Sequence, residues 1–179
     1  AEHFFRFWQW LTTGMITREW VAIHRKHHSK CESTEDPHSP HVYGIWKVLF
    51  FGVYYYVLAA KRPSTYKSGR SGLTNVEDLK SDWIEDNLYT KRNFLGVYIL
   101  LVFNLLLLGK VGIVVWLVQV AWIPFWAAGV INGIGHYWGY QLFKPASDNN
   151  IYESRNIFPF GLWIGGEELH NGHHAFPTS

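Results

Sequence analysis

Apolar positions are distributed unevenly along this chain. Between residues 94 and 131 Lys110 is the only charged side chain. As a single helix, "FLGVYILLVFNLLLLGKVGIVVWLVQVAWIPFWAAGVI" would run roughly 57 Å at ~1.5 Å per residue, far beyond a hydrocarbon core of about 30 Å. The stretch must therefore fold back, and Gly109 and Lys110 offer the turn. That leaves about 15 residues before it and about 21 after it, a helical hairpin across a membrane. Lys91, Arg92 and Lys144 flank the open ends, and the positive-inside rule places those ends in the cytoplasm. Asn104 and Gln119 are positioned to bond across the pair.

The rest of the chain follows other periods. Phe4, Phe5, Trp8, Leu11 and Met15 approach the i, i+3, i+4, i+7 stripe of one amphipathic helix, packed or lying at a membrane surface. Pro37 and Pro40 end helical structure. The uncharged run from Val48 to Ala60 is short for a span and fits an interfacial or re-entrant helix. In "TNVEDLKSDWIEDNLY" Thr74 and Glu77 form a capping box that predicts a further amphipathic helix. The chain thus divides into interfacial helices (1–60), a polar cytoplasmic connection (61–92), two transmembrane helices (93–131) and a cytoplasmic C-terminal part (132–179). The predicted fold class is an all-α membrane protein, a transmembrane hairpin with a helical cap.

Composition adds exclusions. With 48% apolar residues in 179, a mean hydropathy near zero means that substantial aqueous portions accompany the hairpin. A net charge of +2 gives no argument for nucleic acid. Cys31 is the single cysteine, which leaves no disulfide framework and no thiolate metal site. The chain begins on Ala1, has its one methionine at Met15 and stops just past a histidine cluster. It reads as a piece of a longer protein.

The chemistry lies in the histidines. "HRKHH" and "HNGHH" repeat one spacing, as His24, His27, His28 and as His170, His173, His174. On a helix, positions i, i+3 and i+4 share a face, so each triad can aim three imidazoles at one place. In "NGIGHYWGY", Asn132 and His136 are again four apart. The hairpin returns both triads to one side of the membrane. Imidazole suits zinc, copper, iron or nickel, and four such ligands fill a closed zinc site. Seven exceed one metal's need, so two metals share them. Glu19, Asp36 and Glu167 lie near the triads in sequence and can orient the ligands. His3, His38 and His41 fit no cluster and are read as surface or capping residues.

These motifs resemble the membrane fatty acid desaturases. "EWVAIHRKHH" followed by "EDPHSP" is similar to that family's second histidine box and its D-P-H tail. "NGIGH" resembles its N-x-x-x-H element, and "GEELHNGHHAFP" its third box. The wording is closest to bacterial delta-9 acyl-lipid or acyl-CoA desaturases. The resemblance implies an oxidoreductase that uses O2 and two electrons at a di-iron centre to place a cis double bond in a saturated acyl chain. It makes His24, His27, His28, His136, His170, His173 and His174 iron ligands, and Asn132 the holder of a metal-bound water or an orienting group. Trp20 and Trp138 become candidates for lining the acyl slot. Implied partners are an acyl-lipid, acyl-CoA or acyl carrier protein substrate, the lipid bilayer, and an electron donor such as ferredoxin, rubredoxin or a b-type cytochrome. The implied location is multi-pass in a bacterial inner membrane, with the site facing the cytoplasm.

Three departures qualify that picture. The family's first box, H-x-x-x-x-H, does not occur ahead of the second, so the chain as it stands is expected to lack two ligands and to be inactive alone. Ala22 and Ile23 stand where the animal acyl-CoA enzymes carry Arg and Asp, which turns the reading toward lipid-linked acyl chains. Glu168 replaces a glycine common in the third box. The alternatives are a sibling di-iron hydroxylase of alkanes, sterols or carotenoids, and a non-catalytic zinc-binding membrane protein.

Overall fold

In the computed structural model, which describes residues 2–61, 76, 78–79, 81–144, 154–162, 164 and 166–176, the chain is helical. No strand forms among the described residues, and one isolated bridge pairs Tyr140 with Asn156. The helices are α1 (Glu2–Thr13), α2 (Thr17–Lys30), α3 (Pro40–Tyr43), α4 (Ile45–Lys61), α5 (Leu95–Leu108), α6 (Val111–Pro124) and α7 (His170–Ala175). By internal packing the chain divides into two units, Ala1–Ala22 with Lys67–Pro124, and Ile23–Tyr66 with Phe125–Ser179.

The first unit is built on the hairpin. α5 and α6 pack antiparallel around a turn at Gly109, whose φ of 58° lies in the left-handed region that only glycine enters freely. Asn104 Nδ2 donates to Gln119 Oε1 across the pair (3.0 Å), as the sequence suggested, and also to Leu100 O (2.9 Å). Trp116 Nε1 donates to Val97 O (2.9 Å). α1 lies against this pair. Its anchor is Trp10, 4% exposed, whose Nε1 donates to Arg92 O (2.9 Å).

The structure refines the pattern of α1 in two ways. The chain breaks between Thr13 and Thr17, so the expected single helix is two. Of the stripe expected to pack or to lie at a membrane surface, Phe4, Phe5 and Trp8 face outward with Phe7, and the inward contact is made by Trp10 and by Arg6. Arg6 donates to Asp82 Oδ2 (2.6 Å) and to Glu85 Oε2 (3.2 Å). The expected capping box at Thr74 and Glu77 falls outside the described residues. Asp82 acts as a cap instead, its Oδ1 accepting from Glu85 N (2.9 Å) at the start of the π-helical turn Glu85–Thr90.

Outward-facing apolar surface dominates α5 and α6. Leu106 is 81% exposed, and Phe103, Leu107, Val111, Val114 and Trp122 are also exposed. The helix that starts at Val111 continues to His136, and this is the one described helix long and apolar enough to cross a membrane. α5 is apolar but has only 14 residues. Exposed faces of this size are foreign to the water-facing surface of a soluble monomer.

In the second unit α4 packs on the π-helical segment Phe125–Ile131. Pro124 removes the N–H that the helical ladder needs, and i→i+5 bonding takes over in the next turn. A Cβ on Gly52 would stand 2.0 Å from Ala128 O, so this crossing requires bare backbone. α4 also departs from helical geometry at Phe51, next to that contact. Gly52→Val is accordingly expected to lower stability by about 1–3 kcal/mol or more in thermal unfolding. Gly133→Ala, whose methyl would meet Ile45 Cδ1 at an ordinary 3.4 Å, is expected to be nearly neutral. Equal losses in the two variants would contradict this packing.

Candidate metal centre

All seven histidines of the two triads and of "NGIGH" come together in the second unit. α2 carries the first triad on its last two turns. α7 carries the other, held by Asn171 between its first and second histidines. The Asn171 side chain uses its full capacity, Oδ1 accepting from Leu142 N (2.9 Å) and Phe143 N (2.8 Å), and Nδ2 donating to Phe143 O and Ser154 O (both 3.0 Å). His136 follows the π-helical segment on the 3-10 turn Ile134–His136.

The imidazoles sort into two groups. His24, His28 and His173 form a triangle of Nε2 atoms with sides of 3.1, 3.0 and 3.0 Å. His27, His136, His170 and His174 form a chain, with Nε2 separations of 3.1 Å from His27 to His136, 2.9 Å from His136 to His170 and 3.1 Å from His170 to His174. Each triad therefore splits. Its i and i+4 members join one group, and its i+3 member crosses to the other, in opposite senses for α2 and α7. The four-membered group is buried and the three-membered group is half-buried. Rings of the two groups touch where His28 stacks on His174, with centroids 4.1 Å apart.

Hydrogen bonding alone cannot account for these contacts. A neutral imidazole nitrogen either donates one hydrogen or accepts one, so in a triangle only one side can be an ordinary hydrogen bond. The buried group is more constrained. His27 Nδ1 faces Asp36 Oδ1 (2.9 Å) and Oδ2 (3.0 Å), and His136 Nδ1 faces Glu32 Oε1 (2.8 Å). A carboxylate accepts, so both Nδ1 atoms carry a proton, and with the rings neutral both Nε2 atoms turn bare lone pairs toward each other at 3.1 Å. A cation between them converts repulsion into binding. A metal ion with nitrogens at about 2.1 Å places neighbouring donors ~3.0–3.4 Å apart, the spacing found here. His170 and His174 have buried Nδ1 atoms without a partner among the described residues.

The charge state fits the same use. Burial, reinforced by the surrounding rings, holds His24 down to about 2 and His28 to about 4, from an ordinary 6.5. Burial likewise pushes His170 and His174 well below the ordinary range. Neutral imidazole is the form that binds metal. Burial works to raise Asp36, but the neighbouring His27 outweighs it and leaves this carboxyl below its usual range. Burial raises Glu32, against the bond from the Ser39 hydroxyl.

Other sequence candidates fall in varied places. Asn132 is half-buried, one helical turn before His136. Asp36 is fully buried on His27. Glu167 is exposed, whereas its neighbour Glu168, the unexplained replacement, is fully buried and accepts from Ile164 N (3.1 Å). Glu19 and Trp20 belong to the unit without the histidine groups, and Trp138 is exposed. His38 is not a surface residue. It is buried, held down to about 3 by that burial, and its ring lies 4.3 Å from the His27 ring. Cys31 also has more context than its isolation in the sequence suggested, since its Sγ is 3.7 Å from His136 Nδ1 and within ligand range of His27 and His174. Glu32 was missed altogether. The signal available was its place four residues ahead of Asp36 in a turn beside the first triad.

Comparison with known proteins agrees with the motifs. The fatty acid desaturase family model matches residues 2–179. Delta-9 desaturase-like 3 protein of Arabidopsis thaliana is 34% identical over 163 residues, covering 90% of this chain and 49% of the relative. Delta-9 acyl-lipid desaturase 2 of the same plant is 33% identical, covering 90% and 48%. The sn-1 stearoyl-lipid 9-desaturase of Anabaena variabilis is 29% identical, covering 90% and 53%. The chain spans about half the length of the curated relatives it matches. No solved structure matches. On the match of the family model over nearly its whole length, this chain belongs to the fatty acid desaturase family.

Proposed function

We propose that this chain carries most of the metal site of an O2-dependent desaturase that introduces a cis double bond, at the delta-9 position, into a lipid-linked saturated acyl chain. The observation that carries this reading is the 3.1 Å approach of the Nε2 atoms of His27 and His136, two buried rings whose Nδ1 atoms each face a carboxylate. A shared proton would relieve one such contact but not the six short Nε2 approaches across the two groups.

Two iron ions are the proposed occupants. His24, His28 and His173 would hold one, with coordination positions left for further ligands. His27, His136, His170 and His174 would hold the other, and Asn132 would orient the site or a water within it. When bound, the irons supply the redox chemistry that couples loss of two hydrogens from the acyl chain, with two donor electrons and two protons, to reduction of one O2 to two waters. Burial of the four-membered group keeps water from its ring nitrogens, which strengthens every charge interaction there. The exposed apolar faces of α5 and α6 would seat in the bilayer, where acyl chains reside, with Trp20 and Trp138 at the interface or lining the slot.

A lipid-linked substrate is favoured by Ala22 and Ile23 and by the acyl-lipid and stearoyl-lipid names of two relatives. The donor would be a ferredoxin, rubredoxin or b-type cytochrome. The proposed location is multi-pass in the membrane, with the site on the cytoplasmic side.

Fatty acid profiles of cells expressing the gene are the direct test. New delta-9 monoenes are expected, and hydroxylated acyl products or no new product would overturn the proposal. His173→Ala removes one corner of the half-buried triangle and is expected to abolish product while leaving membrane insertion intact. His3→Ala, at an exposed histidine, is expected to retain activity.

The lowered histidines also fix a sign for pH dependence. Below 6.5 the unfolded chain takes up protons that the folded site refuses, so this contribution is complete above 6.5 and is lost as pH falls toward about 4 for His28 and about 2 for His24. The thermal midpoint of the metal-free protein is expected to fall between pH 7 and pH 5. A midpoint that rises over that interval would contradict the assignment of neutral, buried imidazoles.

A further inference from the structure

Glu32 is the one described residue other than glycine with a positive φ, 59°. L side chains enter this left-handed region at a cost, and glycine or asparagine would occupy it with less strain. Such strain persists where the surroundings demand a particular side chain. Here the demand is visible on the N–H and on both carboxylate oxygens of the residue.

Glu32 N donates to Asp36 Oδ2 (2.9 Å), and Asp36 Oδ1 also accepts from His38 N (3.0 Å), which closes the turn after α2. The Glu32 side chain is 5% exposed. Its Oε1 accepts from His136 Nδ1 (2.8 Å), a residue 104 positions away. Its Oε2 accepts from the Ser39 hydroxyl. Ser39 Oγ in turn accepts from His41 N (3.1 Å) and Val42 N (3.3 Å) at the start of α3, so its one hydrogen is committed to Glu32. The carboxylate is thereby fixed at one oxygen and aimed with the other.

We propose that Glu32 is a positioning residue for His136: its carboxylate holds the proton on Nδ1 and turns Nε2 into the buried group, and the left-handed backbone is retained because it delivers that carboxylate. Asp36 does the same for His27 from the same turn. One short segment after α2 thus sets the tautomer of two imidazoles from distant parts of the sequence. The proposal rests on the metal reading above, and it goes beyond it in assigning the role to the side chain rather than to the turn.

Separating carboxylate from backbone is the purpose of the test. Fe2+ affinity of the purified full-length protein would be measured by competition with a chelator, and the visible bands of the Co2+-loaded protein recorded, for wild type, Glu32→Gln, Glu32→Ala and Glu32→Gly. Thermal midpoints of the metal-free forms accompany them. Alanine and glycine are expected to lose about 10–100-fold in Fe2+ affinity, alike, with altered Co2+ bands. Glutamine keeps an oxygen that accepts from Nδ1–H and is expected to recover most of that loss. The metal-free glycine variant is expected to be more stable than the alanine variant, because it relieves the strained φ.

Wild-type affinity in both the alanine and glycine variants would overturn the proposal. So would glycine alone restoring affinity, since the backbone and not the carboxylate would then matter. Failure of the underlying reading looks different: wild type would bind no Fe2+, or would bind it equally after His136→Ala, and the role assigned to Glu32 would fall with it.

Discussion

Two nitrogen lone pairs pointed at each other at 3.1 Å are the constraint from which the rest of this structure follows. Asp36 and Glu32 each occupy the Nδ1 proton of a buried imidazole, so His27 and His136 have no hydrogen left with which to bond one another. Between neutral rings so committed, the two lone pairs repel. A multivalent cation satisfies both conditions at once. It draws the lone pairs together and needs the rings neutral.

The surrounding elements can be understood as means of keeping those nitrogens in place. Gly52 lets α4 approach the π-helical segment within a distance that any Cβ would forbid, and that segment leads directly to His136. Asn171, buried and fully bonded, fixes α7 from inside its own histidine triad. The turn after α2 carries both orienting carboxylates. Each device is a polar or steric requirement with little tolerance, which is how a site dense in unprotonated nitrogens avoids collapse into alternative pairings.

The sequence made part of this legible. The i, i+3, i+4 spacing of the triads is a property of any helix, and a hairpin turn at Gly109 follows from length and hydropathy alone, so both were readable. The division of each triad between two groups was not, because it depends on the angle at which α2 and α7 face each other. Glu32 and His38 gave no periodic signal, and the Glu32 carboxylate meets His136, a residue 104 positions away. In α1 the pattern located the apolar stripe but not the inward contact. Its bulky stripe faces outward, and the buried contact rests on Trp10 and the Arg6 ion pairs, which a count of apolar positions does not pick out.

The central claim concerns what lies between the nitrogens, and X-ray absorption at the iron edge of the iron-loaded protein addresses it most directly. The account expects two irons per chain in an all-imidazole environment, with nitrogen scatterers at about 2.1 Å and the multiple-scattering pattern of histidine rings. Iron bound chiefly by oxygen or sulfur, or a protein that retains a single tight zinc and refuses iron, would contradict it.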